Sequence, residues 1–155
     1  MASDVTVTDD LGFRIEQHTF ASFDGTPIAV QVAGKEGAPV LLLANGLGAT
    51  IRAYRFIVQR FSSTFRFVSW DYRGLHGSAR PLRGYDGMTV EDHAQDAEAV
   101  LAHIGADRFH ALGWSMGVQV LLELYRRIGP RFDSLVLHNG VPGAPWETLG
   151  ETCLM

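Results

Sequence analysis

Val40-Leu41-Leu42-Leu43-Ala44 is apolar at every position. A strand with one face in water alternates apolar and polar residues, so an unbroken apolar run marks a strand covered on both faces. Helices are the usual cover, and they commit a chain to a layered α/β architecture. The rest of the sequence is consistent with that. Runs from Phe13 to Phe23 and from Ile28 to Ala33 flank Asp24-Gly25-Thr26-Pro27 and read as a hairpin. After the apolar strand a helix runs through Tyr54, Ile57, Val58 and Phe61, and a strand follows from Arg66 to Trp70. Thr89-Val90-Glu91-Asp92 has the form of a capping box. Val90, Ala94, Ala97, Leu101 and Ile104 then share one helical face, which Gly105 closes. Phe109 to Trp114 reads as a strand and Met116 to Ile128 as a helix stopped by Gly129-Pro130. Ser134 to His138 reads as a last strand. The alternation predicts one doubly wound α/β domain with a mostly parallel sheet of about six strands. Its parts are a hairpin over 1–39, a core over 40–140 and an irregular tail over 141–155.

Composition excludes several function classes. With 13 Lys and Arg against 17 Asp and Glu, the chain has no basic stripe to neutralise phosphates, so no nucleic-acid partner is expected. No apolar run approaches the length of a bilayer span, and no membrane contact is expected. The first ten residues lack both a basic segment and an apolar one, so a cytoplasmic protein is expected. Cys153 is the single cysteine, which excludes an intrachain disulfide, and it reads as a bystander. No His, Cys, Asp and Glu set has metal-ligand spacing, and neither metal nor cofactor is expected.

The chemistry centres on Gly113-Trp114-Ser115-Met116-Gly117, which lies where a strand gives way to a helix. A serine in that context stands on a tight turn with its hydroxyl raised above the sheet, and glycines on either side leave room for the turn. The helix N-terminus points N–H groups at the space above Ser115, which suits a developing negative charge. A second Gly-rich turn, Asn45-Gly46-Leu47-Gly48, directly follows the apolar strand. A rival reading takes Gly46-Leu47-Gly48 as a dinucleotide fingerprint with Asp71 on the ribose. That motif needs a small residue where Ile51 stands, and it leaves the serine turn unexplained.

On these residues, and on Asp71-Tyr72-Arg73-Gly74 with Gly77-Ser78, the chain resembles the N-terminal half of an α/β-hydrolase-fold serine hydrolase over nearly all of residues 20–145. The resemblance implies Ser115 as nucleophile and the backbone N–H groups of Met116 and Leu47 as oxyanion hole, with Asn45 and Gly46 beside the substrate. It implies an ester-type small-molecule acyl substrate, and a structural role for Asp71 and Arg73. Asn45 departs from the family, which more often has His-Gly there.

The resemblance also implies a triad in the order Ser, acid, His, carried on strands after the sixth. The sequence ends at Met155 with no obvious acid or histidine in those places, so the fold is expected to stop after about the sixth strand. Low activity of this chain alone is therefore expected, as is self-association, or pairing with a complementing chain, through the open sheet edge. His138 at the end of the last strand is a candidate base, and His76 a candidate at the site mouth. Glu147 and Glu151 are candidate acids, whereas His18, His93, His103 and His110 read as ordinary strand or helix positions. The alternative reading is a non-catalytic binding module that keeps the hydrolase scaffold.

Overall fold

The computed structural model describes residues 6–8 and 12–140. One sheet contains β1 (Thr6–Thr8), β2 (Ile15–Ala21), β3 (Pro27–Gly34), β4 (Val40–Ala44), β5 (Arg66–Trp70), β6 (Phe109–Trp114) and β7 (Phe132–His138). Their spatial order is β1-β2-β3-β5-β4-β6-β7. Pairing is antiparallel from β1 to β5 and parallel from β5 to β7. Only β1 and β3 therefore run against the direction of the other five. The helices are α1 (Arg55–Phe61), α2 (Val90–His103) and α3 (Met116–Ile128).

The six expected strands are present as β2 to β7. The three-residue β1 was not expected, because Thr-Val-Thr in a polar segment is too short to show alternation. The last strand starts at Phe132 rather than Ser134, where its register against β6 shifts between Phe109 and His110. Glu147, Glu151 and Cys153 lie outside the described residues, as does the tail over 141–155.

β4 is covered as its composition demands. Leu42 and Ala44 enter a core with Ala97, Leu101, Leu121 and Leu124 of α2 and α3. Leu43 faces the other way, into a smaller core with Tyr54 and with Val58 of α1. Leu42 and Leu43 are both fully buried, and each burial contributes about 1.5–3 kcal/mol. Helices thus lie on both faces of the sheet, the doubly wound arrangement. α2 begins at a complete capping box between Thr89 and Asp92 and ends at Gly105, whose φ of +71° suits glycine.

Arg73 ties the loop after β5 to both the hairpin and α2. Its Nε–H and one Nη2–H donate to Asp96 at 2.7 and 2.8 Å, and its other N–H groups go to Asp24 and the Gly87 carbonyl. All five guanidinium donors are used in a buried site, and Ser22 adds a 2.5 Å bond to Asp96. Among the described residues, no helix is long and apolar enough to cross a membrane. None of their His, Cys, Asp and Glu side chains form a group that could hold a metal ion. Among the described residues β7 lies at one edge of the sheet, with Val136 and Leu137 exposed.

Candidate active site

β6 delivers the chain to Ser115 and α3 carries it away, so the serine sits at the joint of two rigid elements. Ser115 has φ 54° and ψ −119°, a conformation that L-residues other than glycine rarely adopt. Such a backbone costs on the order of 1–3 kcal/mol and persists only where its surroundings hold it. Here the restraints are specific. The Ser115 N–H donates to the His138 carbonyl of β7 at 3.1 Å, and the Val118 N–H returns to the Ser115 carbonyl at 3.0 Å.

The flanking glycines are required by space. A Cβ at Gly117 would lie 2.0 Å from the Ala44 carbonyl oxygen, and one at Gly113 would lie 2.7 Å from the Gly117 carbonyl oxygen. α3 can therefore approach β4 only if position 117 has no side chain. Gly140 does the same for the end of β7, since a Cβ there would meet Val118 at 2.2 Å. Gly140 was not singled out in the sequence, because its clash partner is remote.

The loop from Asn45 to Thr50 lies against the serine turn. A Cβ at Gly46 would sit 3.0 Å from the Trp114 ring and 3.4 Å from the Ser115 Cβ. The loop closes through the Ala49 N–H on the Gly46 carbonyl at 3.0 Å, leaving Leu47 at the tip, 72% exposed. As the first residue of α3, Met116 has no acceptor for its N–H inside the helix. Among the described residues, no turn or cap hydrogen bond takes up the Leu47 or Met116 N–H.

Asn45 is placed differently from the expectation. It is fully buried, and its amide donates to the Ser69 hydroxyl at 3.0 Å and to the Trp70 carbonyl at 2.9 Å. The side chain is therefore given over to β5, so any part Asn45 takes beside a substrate falls to its backbone. Two tyrosines finish the anchorage, and no local motif marks either for that role. The Tyr54 hydroxyl donates to the Ala44 carbonyl at 2.8 Å and the Tyr72 hydroxyl to the Asn45 carbonyl at 2.7 Å. Burial pushes both phenols above their ordinary pKa, so they remain donors.

His138 pairs with Trp114 in the β6–β7 register. Both line an apolar cavity of about 490 Å³ between α1 and the sheet, together with Tyr54, Ile57, Leu112 and Val136. Among the described residues, no histidine ring is hydrogen-bonded to the Ser115 hydroxyl. His76 has φ 48°, and its Nε2 lies 3.0 Å from the Gly48 carbonyl. A carbonyl only accepts, so Nε2 carries the proton and His76 ties the two loops together. Asp71 is buried, and its Oδ2 accepts the Gly77 N–H at 3.0 Å. Burial pushes its carboxyl above the ordinary value, against the pull of that N–H. His93 is buried against the Tyr72 ring at 4.6 Å, and burial with the nearby Arg73 charge lowers its pKa to about 4.

A model of the alpha/beta hydrolase fold matches residues 39–152. RutD of Cronobacter turicensis, named as a carbamate hydrolase, is 32% identical over 114 residues, 74% of this chain and 40% of its own length. The 3-oxoadipate enol-lactonase 1 of Acinetobacter baylyi is 29% identical over 115 residues, 74% of this chain and 42% of its own. A crystal structure of a hydrolase from Pseudomonas aeruginosa superposes with a TM-score of 0.74 at 27% identity, covering 90% of this chain and 53% of that one. The chain thus spans about two fifths of the length of these curated relatives.

Proposed function

This chain belongs to the alpha/beta hydrolase fold family, and from that premise we propose that Ser115 is the nucleophile of an acyl hydrolysis. The observation that carries the reading is the strained backbone of Ser115, restrained by bonds on both sides. Strain of this kind clusters at catalytic positions, where it lifts a side chain clear of the secondary structure.

The Ser115 oxygen attacks the carbonyl carbon of an ester-type substrate while a base takes the hydroxyl proton. The carbonyl oxygen becomes an oxyanion, and the Met116 and Leu47 N–H groups stabilise it with help from the α3 N-terminus. Loss of an oxyanion-hole donor typically costs 10²–10³ in rate. The tetrahedral adduct collapses, the proton passes to the leaving alkoxide, and water then cleaves the acyl-serine by the same two stages. Asn45, Tyr54 and Tyr72 act at a distance, by fixing the loop that presents Leu47. The enol-lactone in one relative's name and the carbamate in the other's support a carbonyl substrate with a heteroatom leaving group.

The base is assigned to no described residue by hydrogen bonding. Without one, a serine hydroxyl is a weak nucleophile, and only about 10³–10⁴-fold acceleration over water survives from oxyanion stabilisation and binding. Slow labelling of the 155-residue chain by a fluorophosphonate probe is therefore expected, at Ser115 and absent in Ser115→Ala. Esterase turnover is expected to stay below about one per second, given the million-fold losses seen when triad members are removed. A further drop in His138→Gln would identify that imidazole as the base. Folded protein that takes up no probe would refute the nucleophile and leave the scaffold as a binding module.

A further inference from the structure

The Leu47 and Met116 N–H groups stand on separate segments of the chain. Pairing of β4 with β6 ends at Ala44 opposite Gly113. Beyond that pair, no turn or loop backbone hydrogen bond among the described residues joins the 45–50 loop to the 114–117 turn. What meets the loop across the gap is the Trp114 indole. A Cβ on Gly46 would lie 3.0 Å from its Cε3 and 3.1 Å from its Cζ3. Carbon atoms pack best at about 3.5–4.0 Å, so the Gly46 backbone lies directly against the ring. Backbone conformation makes no such demand for glycine there, because Gly46 lacks the positive φ that Gly48 holds at +74°.

Each N–H is one peptide bond from a residue that Trp114 touches or is joined to. The Gly46–Leu47 peptide supplies the Leu47 N–H, and the Ser115–Met116 peptide supplies the Met116 N–H. The loop is anchored on either side of the first of these. The Tyr72 hydroxyl holds the Asn45 carbonyl before it, and His76 holds the Gly48 carbonyl after it. Between those anchors Gly46 meets the indole. The ring is backed in turn by the smaller core, which contains Tyr54 and Val58, and it lines the apolar cavity beside Tyr54 and Ile57.

We propose, on the reading of Leu47 and Met116 as the oxyanion donors, that Trp114 is a positioning residue. Its indole is the spacer that sets the Leu47 N–H against the Met116 N–H. Oxyanion donors act at about 2.7–3.1 Å, and a misplacement of about 1 Å can cost about 10²-fold in rate. A stiff ring held between a core and a backbone supplies that tolerance. A ring that only filled the cavity wall would affect stability, and the penalty for a methyl group at position 46 would not depend on it.

A double-mutant cycle in the full 155-residue chain separates the two roles. Trp114→Ala and Gly46→Ala are each expected to slow the maximal rate of fluorophosphonate labelling at least about tenfold. In Trp114→Ala the added Gly46→Ala penalty is expected to shrink at least about threefold, because the ring it would meet is gone. Trp114→Phe, which keeps an aromatic ring, is expected to restore most of the rate. Residual dipolar couplings give the directions of the Leu47 and Met116 N–H bonds without any chemistry at Ser115. The Leu47 coupling is expected to change in Trp114→Ala and to return in Trp114→Phe, while those of Leu42 and Leu43 in β4 stay put. In the unsubstituted chain, the Trp114 Hε3 and Hζ3 protons are expected to show nuclear Overhauser effects to the Gly46 Hα protons. Absence of those effects would overturn the proposal whether or not any variant folds. An unchanged Leu47 coupling in folded Trp114→Ala would overturn it too, as would a Gly46→Ala penalty equal with and without the ring. A parent chain that takes up no probe would refute the nucleophile instead, and the couplings would still decide the spacing.

Discussion

Ser115→Gly should make this protein more stable, although it removes the proposed nucleophile. Ser115 holds φ 54° and ψ −119°, where its Cβ crowds the neighbouring peptide groups and a glycine would not. Releasing that strain returns about 1–3 kcal/mol. Glycine gives back about 0.5–1 kcal/mol through the freedom of the unfolded chain. The net gain is about 0.5–2 kcal/mol. The side chain is exposed and caps no helix N–H, so no hydrogen bond is lost to offset it. For a chain of this size a kcal/mol corresponds to about 2–4 °C, and Tm should rise by about 1–8 °C. Ser115→Ala is the control, because it keeps the Cβ and should stay within about 0.5 kcal/mol of the parent. Urea unfolding of the three proteins at one pH gives the comparison. If Ser115→Gly is no more stable than Ser115→Ala, the turn stores no strain and the argument from backbone to chemistry loses its footing.

Two further perturbations test the scaffold. Arg73→Met leaves Asp96 buried with its charge uncompensated, and a loss of about 3–5 kcal/mol by urea unfolding is expected; adding Asp96→Leu should recover part of it. His93 has a folded pKa of about 4 against 6.5 in the unfolded chain. Between those values the unfolded chain binds a proton that the folded one refuses, so stability falls as pH drops from 6.5 to 4, by up to about 3 kcal/mol. Urea midpoints at pH 7 and 4.5 should therefore differ less in His93→Phe than in the parent; an unchanged difference would show that other groups carry the acid sensitivity.

How much of this was legible depended on whether the signal was local. Val40–Ala44 announces its two-sided burial in its own five letters, and the Thr89–Asp92 box and Gly129-Pro130 mark helix ends within a turn. The serine turn is legible for the same reason, since Gly113 and Gly117 sit in the same pentapeptide as Ser115. What holds the site in place was not. Asn45 reads as a loop residue open to substrate, yet its bonds reach Ser69 and Trp70, some 25 positions on. Tyr72 and Gly140 owe their roles to the Asn45 carbonyl and to Val118. Only sheet order brings such pairs together, and periodicity says nothing about which strands lie side by side.

The Ser115 N–H bond to the His138 carbonyl makes β7, the last of the described strands, a support of the turn. β7 is paired on one side only among the described residues, and most of its side chains are exposed. Strands of that kind open more readily than the strands between them. When β7 lifts away, the 115 amide loses its acceptor and the backbone there is free to settle into an ordinary conformation. The shape of the turn is then tied to how firmly β7 stays paired with β6, and the hydrogen-exchange rate of the 115 amide would gauge how often that pairing lets go.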